Sequence, residues 1–173
     1  MKGFRTERKD MEKQTFIFES LPKSVDELKA MPEAALTTPF MTAALAVAVL
    51  CHYGEDKQVT FDMLDVLKGP QPLSVYDKQF IRDRIGGKEY KVFSYFEGTS
   101  PQNHYQPTVP YTITVSDNPY SYNNEGYATL YLHSSGADSD RQVQLRRKGD
   151  QWFLWQILFL SDIRVPAQED PWA

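Results

Sequence analysis

At 173 residues, with 41% hydrophobic and 24% charged side chains, the chain has the size and composition of one globular domain, and disorder over most of its length is excluded. A formal net charge of −4 and a single cysteine exclude a strongly cationic nucleic-acid binder and a disulfide-built scaffold. Aromatic residues reach 13%, with ten Tyr and ten Phe, and tyrosines in polar surroundings raise the odds of a binding face.

Residues 1–14 mix charges of both signs (Lys2, Arg5, Glu7, Arg8, Asp10) without an apolar period, so a polar, flexible arm is expected there, followed by a single domain over 15–173. The opening lacks the apolar core of a secretory signal, and there is no Asn-x-Ser/Thr acceptor. With Cys51 alone in an apolar run, a cytoplasmic setting is expected. Residues 15–19 (TFIFE) read as a strand, and Ser24 with Glu27 three positions later reads as a capping box for a helix through Ala30. Thr38-Pro39 supplies an N-cap hydroxyl and a proline at the first helical position of an Ala-rich helix ending near His52. This segment is apolar nearly all round, so other elements must cover it, yet it is well short of the roughly 20 residues that span a bilayer. No membrane partner is expected. From Thr60, Phe61, Leu64 and Leu67 recur at helical spacing up to the breaker Gly69-Pro70, and Ser74 caps a further helix, VYDKQFIRDRI, closed by Gly86-Gly87.

Beyond that point the pattern turns extended. Residues 90–96, 111–115, 127–133, 141–147 and 151–160 read as strands, separated by segments rich in turn-forming residues. Helices first and a meander afterwards define an α+β fold, with N-terminal helices packed on a C-terminal antiparallel sheet. In the last strand Phe153, Trp155, Ile157 and Phe159 form an entirely apolar row, expected in the core. On the other sheet face Tyr127, Thr129, Tyr131 and His133 lie with Gln142, Gln144 and Arg146. Such a face is aromatic and polar together, as a ligand cleft or a solvated sheet face would be.

Several long, irregular segments (TTPFMTAALAV, GPQPLSVYDKQFIRDRIGGKEY, SYFEGTSPQNHYQPTVPY, SSGADSDRQVQLRRKGDQWFLW and DIRVPAQEDPWA) resemble a family of bacterial proteins, mostly from Firmicutes, known as a domain of unknown function. The resemblance runs from about residue 35 to the end. It implies a family without implying an activity or site residues. Helices followed by an antiparallel sheet, with Gly149, Asp150 and Trp152 before a long apolar strand, are also similar to the nuclear-transport-factor-two-like (cystatin-like) folds. That likeness implies a fold alone.

No motif calls for a cofactor. Gly86-Gly87-Lys88 lacks the spacing of a phosphate loop, and His52, His104 and His133 stand without metal-ligand spacing, so no metal is expected. The best catalytic constellation is His133 oriented by a carboxylate from Asp138, Asp140 or Asp162. The competing class is a binding module. Segment 94–111 sets Tyr95, Asn103, His104, Tyr105 and Tyr111 among prolines and glycines, a stiffened loop suited to anchoring peptides or sugars, and Tyr131 adds a ring on the sheet face. Near the loop tip His104 and Tyr105 are expected at least partly exposed. The sequence therefore reads as a non-enzymatic binding domain whose partner is a protein, a peptide or a small molecule. The alternative is a small-molecule enzyme with its pocket over the polar-aromatic sheet face.

Overall fold

The computed structural model describes residues 11–173. The arm expected over 1–14 lies outside the described residues for 1–10, while Lys13 and Gln14 already belong to strand β1 (Lys13–Phe18) and pair with Ser116 and Val115. Helix α1 (Val25–Ala30) starts at Ser24, whose hydroxyl accepts from the Glu27 N–H. Helix α2 (Pro39–Leu50) starts at Thr38, whose hydroxyl accepts from Met41. Helix α3 (Lys57–Lys68) begins earlier than Thr60, because the Asp56 carboxylate caps Val59 and the Thr60 hydroxyl turns back to the Asp56 carbonyl at 2.8 Å. Helix α4 (Val75–Ile85) carries a complete capping box between Ser74 and Asp77.

Strands β2 (Tyr111–Ser116), β3 (Tyr127–Leu132), β4 (Arg141–Lys148) and β5 (Gln151–Leu158) follow β1 in a five-stranded antiparallel sheet of order β1-β2-β3-β4-β5. Helix α2 lies across β2 to β5 on one face, α3 packs against it and against β5, α1 packs on α3, and every residue from Ala43 to Leu50 is sealed from solvent. The α+β reading and the helix-on-sheet arrangement hold. Among the described residues no helix is long and apolar enough to cross a membrane.

Two local expectations fail for identifiable reasons. Residues 90–96 are not a strand; they hold a short helix α5 (Tyr90–Phe93) and a turn. Its residues have strand-like side chains, but long-range bonds decide the backbone. The buried Lys91 ammonium donates to the carbonyls of Arg84 (2.8 Å) and Leu160 (3.3 Å) and pairs with Asp162 at 2.7 Å, and the Tyr95 hydroxyl donates to the Phe159 carbonyl. The chain then enters a split in the sheet, because β2 and β3 pair only at Val115–Leu132 and Ser116–Tyr131. Glu97 N–H reaches the Thr112 carbonyl and Ser135 N–H the Ser94 carbonyl, both at 2.9 Å, and the Ser94 and Ser134 hydroxyls meet at 2.7 Å.

The second correction concerns β5. Leu145 faces Leu154, but the next residue back on β4, Gln144, faces Gln156, so Trp155 is the extra residue of a β-bulge. The bulge shifts the two-residue period by one. Trp152 and Leu154 point inward before it and Ile157 and Phe159 after it, which is why both rows of the sequence look apolar. Trp155 is half-buried and faces away from the helices, against Tyr127 of β3.

Two predictions follow from this packing. A methyl group on Gly136 would sit 2.2 Å from the Tyr105 hydroxyl oxygen and about 3 Å from its ring. Gly136→Ala is expected to cost about 1–3 kcal/mol by urea titration as an overpacking change, and less in a Tyr105→Phe background, where the closest atom is gone. Equal cost in both backgrounds contradicts the packing. Burial pushes the Tyr95 hydroxyl up to about 12. The folded state therefore holds that proton where the unfolded chain, with its hydroxyl near pH 10, has released it. Its stabilisation is complete below about pH 10 and is lost as pH rises through 12, and Tyr95→Phe should flatten that alkaline fall in stability.

Candidate functional site

Of the three candidate carboxylates one meets the imidazole: His133 and Asp140 form a 3.1 Å pair in an exposed hairpin loop, whereas Asp138 pairs with Arg164 and Asp162 with Lys91. Lys91 also holds the Asp162 carboxyl below its ordinary range, by hydrogen bonding and by charge. Both carboxylates thus tie down the C-terminal segment instead of orienting the imidazole.

The aromatic loop is mostly inward. Tyr95 is buried with its hydroxyl on Phe159, as described above, and packs edge-on to the Phe159 ring. Tyr105, expected partly exposed, is 1% exposed: its ring stacks on Tyr90 at 5.5 Å and its hydroxyl donates to the Arg164 carbonyl. The reason is the length of the loop, which needs anchors of its own inside a compact fold. Asn103 organises the turn. Its amide donates to the carbonyls of Gly98 and Gln106, and its Oδ1 accepts from the backbone of Ser100 and Gln106. His104 and Tyr105 both adopt left-handed backbone conformations (φ 58° and 56°), a strained pair that these bonds fix. His104 is 53% exposed, with Nε2 3.7 Å from Glu169. It lines a cleft of about 470 Å³ with Tyr105, the half-buried Tyr111 and Tyr90.

The outer sheet face is the second concave surface, and it holds side chains the sequence did not single out. Tyr131, half-buried, lies opposite Gln142 on this face. Further along, the Trp155 ring meets Tyr127 edge-on at 5.9 Å, and the Arg146 guanidinium lies 4.7 Å from the Trp155 ring and 5.3 Å from that of Tyr127. Phe153, Arg147 and Lys148 continue the wall, with Lys68 and Gln71 opposite, around a cleft of about 500 Å³. Lys68 is 9% exposed and donates to the Trp155 carbonyl at 3.3 Å. None of the ion pairs among the described residues involves Lys68, Arg146, Arg147 or Lys148. The sequence did carry signals for this wall. Gln142, Gln144, Arg146 and Lys148 alternate outward along β4, and Gln156 breaks the apolar run of β5.

The structure thus defines an α+β domain, helices on one face of an antiparallel meander and an aromatic, cation-lined cleft on the other. A family model described as a domain of unknown function, DUF6935, matches residues 20–167, and the chain belongs to that family. No curated protein and no solved structure matches it. Membership fixes the chain's relatives and assigns no activity.

Trp155→Ala tests the assignment of its ring to the outer face. It is expected to cost about 1–2 kcal/mol, the loss of a partly exposed ring, whereas Leu154→Ala, in the dry layer, should cost about 2–5 kcal/mol. Denaturant titration of both variants distinguishes them, and the reverse order would return Trp155 to the core.

Proposed function

We propose that this domain is a non-enzymatic binding module of a bacterial cytoplasmic protein, and that its recognition surface is the cleft around Trp155. The observation that carries the reading is four cations without ion-pair partners, set about the rings of Trp155, Tyr127 and Phe153 in a cleft of about 500 Å³. Other cations serve the fold: Lys91 pairs with Asp162, Arg164 with Asp138, and Arg141 donates to the carbonyls of Ser161 and Asp162. Four cations gathered on one cleft make a local positive wall on a chain of net charge −4, and such a wall suits an anionic partner. Arg146, with its guanidinium 4.7 Å from the Trp155 ring and 5.3 Å from that of Tyr127, is suited to carboxylates. The negative balance of the whole chain favours an acidic protein or peptide over a nucleic acid.

Bacterial origin, chiefly in Firmicutes, and kinship with nuclear-transport-factor-two-like folds belong to the same proposal. They are supported by the quoted segments and by the helical layer on one face of a meander. A second reading, a small-molecule pocket on the same face, has one observation in its favour. An adjoining cleft of about 330 Å³ is lined by Asn123, Asn124, Thr129, Gln144, Tyr127 and Trp155, neutral hydrogen-bonding groups beside two rings.

The test is fluorescence anisotropy of labelled oligoglutamate titrated with the full chain. Binding is expected, weakening as ionic strength rises through about 0.1 M, and falling at least fivefold for Arg146→Gln/Lys148→Gln, two exposed positions. Binding that ignores the double substitution places the site elsewhere. Tighter binding of a single-stranded oligothymidylate than of oligoglutamate would overturn the protein-partner reading.

A further inference from the structure

Strand β5 is an edge of the sheet, and most of its outer edge is covered. Trp152 donates to the Leu36 carbonyl at 2.8 Å and accepts from the Thr42 hydroxyl at 2.6 Å. Lys68 covers the Trp155 carbonyl, and Tyr95 and Lys91 cover those of Phe159 and Leu160. Between these covered points lie Gln156, Ile157 and Leu158, where no hydrogen bond from any other described element reaches the backbone on the side away from β4. Uncovered edges are sites of strand pairing, and proteins ordinarily close them. This one is closed on both sides of a short gap.

The gap opens onto a groove. Helix α4 runs opposite, and the space between it and β5, about 270 Å³, is lined by Tyr76, Phe80, Leu73 and Leu158. Tyr76 is 75% exposed and Leu158 43% exposed, so the walls present apolar surface to water. Asp77 also lines the groove, with its carboxylate engaged by the Ser74 N–H. Lys68 and Trp155 line both this groove and the cationic cleft, so the two spaces meet at the bulge. An apolar channel beside an open strand edge therefore continues into a wall of unpaired cations.

Resting on the reading of the Trp155 cleft as an acidic-partner site, we infer that the occupant is an extended segment of another protein that adds as a strand to β5 at 156–158. Alternate apolar side chains of that segment lie between β5 and α4. Its acidic residues cross Trp155 to reach Arg146 and Lys148. Backbone pairing supplies binding that any sequence can make, the apolar wall selects alternate side chains, and the cations select the acidic half. The bulge, which interrupts regular pairing at Trp155, is the point where the bound segment leaves the edge for the outer face.

The experiment uses a library of random peptides displayed on phage, selected on the full chain and, in parallel, on Arg146→Glu/Lys148→Glu. Selection on the unaltered chain should enrich peptides that join an acidic stretch to alternating β-branched or aromatic residues, and the variant should lose the acidic stretch. In a synthetic peptide from the enriched set, N-methylation of a backbone amide within the alternating half should weaken binding at least tenfold, and Leu158→Lys should do the same. No enrichment, enrichment indifferent to the two glutamates, or affinity indifferent to N-methylation at every position of that half overturns strand addition. Indifference to N-methylation with oligoglutamate binding intact leaves the Trp155 cleft as the site and removes the strand. Loss of oligoglutamate binding as well removes the underlying reading.

Discussion

Helix α2 has no polar face, and the arrangement of the other elements follows from that. A helix whose residues from Ala43 to Leu50 are all sealed has to be enclosed on every side. The sheet supplies one side and α3 and α5 with the turn at Pro32–Ala35 supply the others. Burying each of Leu45, Val47, Val49 and Leu50 contributes roughly 1.5–3 kcal/mol. Helix α2 and most of α3 are therefore committed to one face of the sheet, and only the end of α3 at Lys68 reaches round to the β5 edge. The opposite face is left to polar side chains and to whichever rings the strand register turns outward.

The β5 bulge determines which rings those are. An uninterrupted strand of this sequence would carry Ile157 and Phe159 on the outer face after Phe153 and Trp155. The extra residue turns Ile157 and Phe159 inward, leaves Trp155 outside beside Tyr127 and aims its carbonyl at Lys68. A nearly buried ammonium is costly unless its donors are met, and the Trp155 carbonyl offsets part of that cost. Lys91 solves the same problem differently, with two carbonyls and a carboxylate. One buried lysine is thus neutralised within the fold, while the other keeps its charge uncompensated at the head of a cleft. That difference is what sets Lys68 apart in the proposed function.

Elements whose signals are local were legible in the sequence. The caps at Ser24, Thr38 and Ser74 and the alternation in β2, β3 and β4 all appear where side-chain spacing places them. What could not be read depends on distant partners. Segment 90–96 has strand-like residues, but the bonds that wind it come from Arg84, Phe159, Leu160 and Asp162. Trp155 could not be assigned a face without the pairing of Gln144 with Gln156, because a bulge leaves no mark in a run where both rows are apolar. The cationic wall was half legible: RQVQLRRK shows its outward row, but only the fold brings Lys68 opposite Arg146.

The loop over 94–111 shows how the same aromatic residues can serve structure or recognition. Its prolines and rings suggested a binding surface, yet Tyr95 and Tyr105 spend their hydroxyls on the Phe159 and Arg164 carbonyls and their faces on Phe159 and Tyr90. A ring used in this way fixes the C-terminal segment against the loop and has little left to offer a ligand. Among the described residues the side chains of Trp155 and Tyr127 make no such hydrogen bond; they meet each other and one guanidinium. Arg146 lies against both rings without an ion-pair partner among the described residues, and under the proposed function a carboxylate there would meet a planar fork with five donors where a lysine offers a point charge. In the proposed function, recognition therefore belongs to the face around Trp155, while the aromatic loop holds the C-terminal segment to the fold.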